Sequence, residues 1–241
     1  MSAVSKAAPR VAFDAEGYQV PLVMADCAIF TLKDGGLHLL LPVRTKNLET
    51  GKRALVGGRL HLNEDATLED AAQRIAAEKL GIDVRYMEQL YSFGGPHRDQ
   101  GWTVTVAYIA IVEIGQIPEA LHADLFPVDQ IPPLAFDHDD IAAMAVARMR
   151  NKSAYSSLPA FLLPPEFTID DLRRVYERVT GVSLTKSTFR EQVLSQGFVE
   201  RTGSMSSGRS HRPAELWRLT RKTISNFDKL VSNRIAPAKP I

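Results

Sequence analysis

The sequence is poor in cysteine, and its single thiol, Cys27, cannot close an internal disulfide, which fits a reducing compartment. Long apolar runs are also missing. None reaches the ~20 residues of a membrane-spanning helix, and the first residues lack a signal peptide's apolar core, so a soluble, cytoplasmic chain without membrane contact is expected. Nor is there a large net charge: 29 Lys/Arg against 28 Asp/Glu leave +1. That near-neutrality sums two unlike parts. Residues 183–241 hold 11 Lys/Arg and 4 Asp/Glu, a balance of +7, which leaves 18 against 24, or −6, for residues 1–182. A basic end on an otherwise acidic chain points to a polyanionic partner for that end.

What is present reads as a tail and two domains. Residues 1–16 are small, polar and aperiodic, which predicts a flexible tail. Strands are expected at 22–32 and 37–43, joined by the turn Lys33-Asp34-Gly35-Gly36, and again at 87–93 and 102–113, with helices over 68–80 and about 138–151. Cys27 falls inside the apolar LVMADCAIFTL and reads as a buried strand residue, not a reactive thiol. Strands and helices alternate without a regular βαβ rhythm, so residues 17–152 are expected to form an α+β, mixed-sheet domain. The segment SAYSSLPAFLLPPEF, 153–167, holds three prolines and reads as the junction to a second domain, 153–241.

In that second domain Thr168 and Asp171 frame a helix N-terminus, Phe167 can staple to Leu172, Ile169, Leu172, Val175, Tyr176 and Val179 share a face, and Gly181 ends the helix. The next segment repeats this logic, with Thr185 as cap, Leu184 and Phe189 as staple, Val193 and Leu194 toward the core and Gly197 as stop. A strand at 198–202, a loop at 203–213 and a return strand at 215–219 complete a helix-turn-helix with a wing. The second helix would offer Thr185, Lys186, Ser187, Thr188 and Arg190 to base edges, and the loop Arg209, His211 and Arg212 to phosphates or the minor groove. Double-stranded DNA is the expected partner. One short helix reads few base pairs, so a homodimer on a roughly palindromic operator is expected.

The helix at 68–80 lies in GGRLHLNEDATLEDAAQRIAAEKLGI, residues 57–82. Gly58, Glu64, Arg74, Glu78, Gly81 and Ile82 resemble the Nudix box, G-x5-E-x7-R-E-U-x-E-E-x-G-U with U a bulky aliphatic, with two extra residues between its halves. In an active member, R-E-U-x-E-E places carboxylates at i, i+3 and i+4 of one helix face, where they hold divalent metal against a diphosphate. Those positions are here Ile75, Glu78 and Lys79, so the formal charge goes from −3 to zero; Arg74 and Glu78 are vestiges, and neither an enzyme nor a metal site is expected. His61, His97 and His138 have no second ligand spaced to join them and read as structural or solvent-facing.

Together with YSFGGPHRDQGWTVTVAYIAIV at 91–112, AFDHDDIAAMAVARMR at 135–150 and the winged domain, the box resembles the Nudix-related transcriptional regulators of NAD metabolism. It departs from them at Val56, where a proline is common, and at Gln100-Gly101-Trp102, where arginine and proline are more usual. The resemblance implies an N-terminal Nudix-like α/β/α sandwich that senses ADP-ribose, NAD or ATP and needs no cofactor, joined to a C-terminal winged helix-turn-helix. Pocket contacts are expected from Arg44, the Gly57-Gly58 backbone, Arg59, and Arg98-Asp99 in the loop after the 87–93 strand. A nucleotide-diphosphate hydrolase with an appended winged domain is the alternative, with Glu64, Glu69 and Asp70 as substitute ligands; a sugar-sensing regulator of the same architecture is a second one.

Overall fold

The structure is a computed structural model, and it describes residues 12–46, 48–99, 101–206 and 213–228. The chain opens on a small hairpin, β1 (Ala12–Phe13) with β2 (Gln19–Val20). Residues 12–16 are therefore not the loose tail expected of them, because the Asp14 carboxylate accepts from the Glu16 and Tyr18 amides and Gly17 takes the left-handed turn (φ 85°). The expected residues 1–11 of that tail lie outside the described residues. Then follow β3 (Leu22–Lys33), β4 (Gly36–Leu40), β5 (Val56–Arg59), α1 (Leu68–Leu80), β6 (Tyr86–Asp99), β7 (Gly101–Ile111), β8 (Leu125–Pro127) and α2 (His138–Ser153).

The sheet runs β6-β7-β3-β4-β8, and β5 pairs with the first half of β3, beyond the reach of β4. Among the paired strands of the described residues, β3 and β7 alone run parallel. β3 is the organising strand, and its alternation divides the core. Ala25, Cys27 and Ile29 point to the α1 side, where they meet Ala71, Ala72, Ile75 and Ala76, while Ala28 and Phe30 point to α2 with Ile141, Ala145 and Met149. An α/β/α sandwich results. Burial pushes the Cys27 thiol up to about 12, and its Sγ lies against the Ala72 carbonyl. The helix α1 is capped at both ends, by a reciprocal Thr67–Asp70 box and a left-handed Gly81.

Two strands differ from expectation. The second stops at Leu40, with Val43 only bridged to Arg53, because Pro42 has no amide for the ladder. The strand expected at 87–93 instead continues to Asp99 across Gly94-Gly95, absorbing a register shift against β7, so Arg98 stands on a strand and not in a loop.

The winged domain contains α3 (Ile169–Thr180), α4 (Lys186–Gln196), β9 (Val199–Met205) and β10 (Glu215–Leu219). Thr168 and Asp171 form the expected capping box, and Trp217 of β10 exchanges both backbone bonds with Phe167. At α4, Thr185 holds the N-cap position without a side-chain bond, and the third helical residue, Thr188, has no carboxylate to return a reciprocal one. Leu194 is 39% exposed and turned away from the core that Phe189 and Val193 enter. The wing's first strand extends to Met205, so Gly203–Met205 are not loop; Arg209, His211 and Arg212 lie outside the described residues.

The proline-bearing stretch 153–167 is not a solvated linker. Leu158–Leu162 form a buried 3-10 turn, the Tyr176 hydroxyl donates to the Ser156 carbonyl at 2.7 Å, and Phe161 packs on Tyr86 with ring centroids 5.3 Å apart. One apolar cluster thus runs from the sheet through α2 and this turn into α3, α4 and Trp217. Phe161→Ala is expected to cost about 3–5 kcal/mol and to lower the denaturant midpoint of both halves together; a loss below about 1 kcal/mol, or two separate transitions, would contradict a shared core.

Candidate functional site

A cleft of about 340 Å³ opens between α1, β5 and the start of α2. Arg44, Gly57, Gly58, Arg59 and Arg98 all line it, so five of the six residues expected from the sequence come together; the side chain of Asp99 lies outside the described residues. Arg74, Ile75, Glu78 and Lys79 of α1 also line it.

The residue that sets its floor is Asp26, 4% exposed in the middle of the apolar β3. A buried carboxylate requires partners. Arg98 reaches it at 3.2 Å and also donates from Nε to Asp137 at 2.5 Å, so one nearly buried guanidinium ties β3, β6 and the N-cap of α2 together. Gly57 is needed here, because a Cβ on it would meet the Asp26 Oδ1 at 1.7 Å. His138, next to Asp137, accepts the Leu55 amide on Nδ1 at 3.0 Å, which leaves the Nε2 proton facing Asp26 at 3.8 Å.

The other wall is cationic. Arg44 lies over the Phe136 ring, 4.6 Å from its centroid, and donates to the Leu48 carbonyl at 3.0 Å. Phe136 itself has φ 56°, a left-handed conformation that an aromatic residue adopts only when its surroundings impose it. On α1, Arg74 is clamped by Asp65 at 2.7 Å, donates to the Arg59 carbonyl at 3.0 Å and reaches Glu78 at 3.2 Å; the same guanidinium holds the Asp65 carboxyl down at about 2. The Lys79 ammonium donates to the Gly57 carbonyl. Lining side chains comprise five cations, Arg44, Arg59, Arg74, Lys79 and Arg98, against two carboxylates, Asp26 and Glu78, which is a balance of +3 with histidine neutral. The Thr103 hydroxyl, which lines the cleft, and Asp137 Oδ1, between the lining residues Phe136 and His138, are buried without a hydrogen-bond partner among the described residues.

Sequence reading had not proposed Asp26, Thr103, Phe136 or Asp137 for this site, and had read His138 as structural or solvent-facing; it is buried and structural. Asp26 did carry a signal, a lone acid inside an apolar strand. Among the described residues no group of three or more His, Cys, Asp or Glu is arranged to hold a metal ion.

On the winged domain, Lys186, Ser187, Thr188 and Arg190 are exposed along α4, with Phe189 and Val193 buried beneath them. The cations are lightly paired: Lys186 with Asp170 at 3.5 Å, and Arg190 with Glu215 at 4.0 Å and over the Trp217 ring at 5.7 Å. Such exposed pairs exchange readily for phosphate.

Burial holds His138 below the ordinary imidazole value of 6.5, with Asp26 pulling the other way. The unfolded chain takes up a proton near 6.5 while the folded chain resists, so stability falls as pH drops below about 6.5 until the folded imidazole also titrates, at no more than about 1.4 kcal/mol per pH unit. Melting temperatures measured from pH 7 to 5 are expected to decline in the wild type and less steeply in His138→Asn, whose side-chain oxygen can still accept the Leu55 amide. Equal slopes would mean that His138 is not the group responsible.

Comparison with known proteins covers both domains. Residues 22–146 match the NUDIX domain and residues 159–219 the NrtR DNA-binding winged helix domain. The ADPR responsive transcriptional repressor NtrR of Acinetobacter baylyi is 37% identical over 222 residues, 89% of this chain and 88% of that one. Shewanella oneidensis NrtR complexed with a 27mer DNA is 33% identical, covering 82% of this chain and 93% of that one with a TM-score of 0.75. The NUDIX domain of the same protein complexed with ADP ribose is 34% identical, covering 56% of this chain and 93% of that one with a TM-score of 0.50. With both domains matched in order and a relative 37% identical along most of its length, the chain belongs to the NrtR family, in which a NUDIX domain is joined to a DNA-binding winged helix.

Proposed function

We propose that the chain is a transcriptional repressor of NAD-related nucleotide metabolism, which binds a roughly two-fold operator as a homodimer and is controlled by ADP-ribose held without turnover in the cleft. The observation that carries this reading is the cleft itself: a balance of +3 on a floor of buried polar groups suits a nucleoside diphosphate, while the helix beside it offers Ile75, Glu78 and Lys79 where hydrolysis needs three carboxylates. Relatives support it, since the Acinetobacter baylyi protein is described as ADPR responsive and a NUDIX domain of this family has been crystallised with ADP ribose. The described helices include none long and apolar enough to cross a membrane, consistent with a cytoplasmic regulator.

The hydrolase alternative has less to draw on. Asp70 is engaged in the Thr67 capping box, and Glu64 leans on His61 at 3.3 Å and Arg74 at 3.7 Å, so two of the three substitute ligands are committed elsewhere. NAD and ATP remain the competing effectors, to be separated from ADP-ribose by titration. Which residues touch effector and DNA is part of the proposal: Arg44, Gly57, Gly58, Arg59 and Arg98 with Asp99 for the first, Thr185, Lys186, Ser187, Thr188 and Arg190 with Arg209, His211 and Arg212 for the second.

Incubated with ADP-ribose and Mg2+ or Mn2+, the purified protein is expected to release no AMP above background; release that needs metal and disappears in Glu78→Gln would promote the hydrolase reading. For DNA, ADP-ribose is expected to shift operator affinity, since a ligand regulates only if it binds the free and DNA-bound forms differently. Replacing Thr188 or Arg190 is expected to change preference at particular bases, whereas Arg209→Ala or Arg212→Ala weakens binding to all sequences and lowers the salt slope by about one. Binding measured over a salt series on operator and scrambled DNA, with the mass of the complex, decides this. One monomer per site would overturn the dimeric arrangement.

A further inference from the structure

The NUDIX fold implies a divalent cation, and the residues at this cleft do not fit one. Mg2+ takes hard oxygen ligands in a nearly octahedral shell. Of the three helix positions that would supply them, Ile75 is buried and apolar, and its side chain packs so closely under Gly58 that a Cβ there would meet it at 3.0 Å. Glu78 is drawn sideways to Arg74 at 3.2 Å. Lys79 brings a positive charge to the remaining place. Its ammonium extends from α1 across the mouth of the cleft to the Gly57 carbonyl on β5, so a backbone oxygen that could ligate a cation already has one, covalently attached.

We propose that Lys79 is a tethered substitute for the divalent metal: its ammonium holds the diphosphate of the effector, and the protein binds that ligand without any metal ion. This rests on the reading of the cleft as a diphosphate receptor and adds how the receptor does without metal. Three observations converge on it. First, an ammonium has three donors, and the Gly57 carbonyl is its one hydrogen-bond acceptor among the described residues, so two are left for phosphate oxygens. Second, the site is short of negative charge. Burial pushes the Lys79 pKa down, Asp26 pulls it up, and the nearby Arg44 and Arg74 push it down again, so this ammonium sits where an incoming dianion would relieve it. Third, Arg44, Arg59, Arg74 and Arg98 line the same cleft, so a diphosphate held by Lys79 would find planar guanidinium donors around it.

The substitution also separates binding from turnover. A metal ion both neutralises a diphosphate and turns bound water into a nucleophile near neutral pH. An ammonium does only the first, because it has no vacant coordination position for water. With Ile75 closing one ligand position and Lys79 filling another with its own charge, the face can hold a diphosphate without metal and leave it intact.

Calorimetric titration of the full-length protein with ADP-ribose and with inorganic pyrophosphate, in EDTA and in excess Mg2+, tests this. The wild type is expected to bind with affinities in the two buffers that agree within about threefold, and Lys79→Arg to retain binding in EDTA. Lys79→Met is expected to lose at least about tenfold in EDTA. Lys79→Glu is expected to lose binding in EDTA and regain at least about tenfold on addition of Mg2+, a readout that misfolding or simple charge loss would not produce; unchanged melting temperatures confirm intact variants. Wild-type binding that requires Mg2+, Lys79→Met binding as tightly as wild type, or wild type that binds neither probe in EDTA would each overturn the proposal. Pyrophosphate bound through Lys79 without any ADP-ribose binding would uphold it and instead refute the ADP-ribose reading.

Discussion

A carboxylate placed in the middle of an apolar strand has to be answered from elsewhere in the chain, and the answer to Asp26 organises much of this protein. Arg98 comes to it from β6, the His138 imidazole from α2, and Arg98 in turn collects Asp137 at the helix N-cap. Removing one member of such a set leaves a buried charge without its counterpart, a far larger penalty than the net worth of the pair. The consequence is positional. Gly57, Leu55 and the strained Phe136 are all fixed within reach of this ion group, and the cleft's shape follows from them.

The same group stands at one end of a mechanical element. The helix α2 starts at Asp137-His138, runs under the sheet, and ends where its residues and the buried turn 158–162 meet α3, which supports the reading helix α4. A second contact crosses between the domains at the β3–β4 turn, where Gly35 (φ 79°) lies so close to Arg178 of α3 that a Cβ would collide with the guanidinium. Packed interiors resist small continuous deformation. The described junction is packed without a solvated hinge, so the α2 N-terminus and α3 are joined by a continuous core of the kind through which an effector could influence DNA binding.

Local rules made much of this legible in the sequence. The capping box at Thr168–Asp171, the helix-ending glycines at 181 and 197, and the apolar face of α3 involve neighbours three or four residues apart, and all stand as read. Arg44, Gly57, Gly58, Arg59 and Arg98 were found through a family pattern, and the fold brings them to one cleft. What escaped was nonlocal. Nothing near Asp26 in sequence announces that residues 98, 137 and 138 will surround it, and nothing in 153–167 distinguishes a proline-rich linker from a proline-rich core turn until the sheet and α3 close over it. Thr185 holds the N-cap position as read, though without a side-chain bond, while Leu194 failed for a different reason: it followed Val193 on a helix whose buried side is narrow.

Cys27 gives the β3 strand an unplanned use. The thiolate is the reactive form of cysteine, and this thiol is fully buried with its pKa pushed up to about 12, so in the closed sheet it is protected both by access and by chemistry. Because it is the sole cysteine, alkylation of the native protein proceeds only through molecules in which β3 has parted from α1. The rate of that labelling is therefore a clock for opening of the effector domain, readable by mass without introducing any probe.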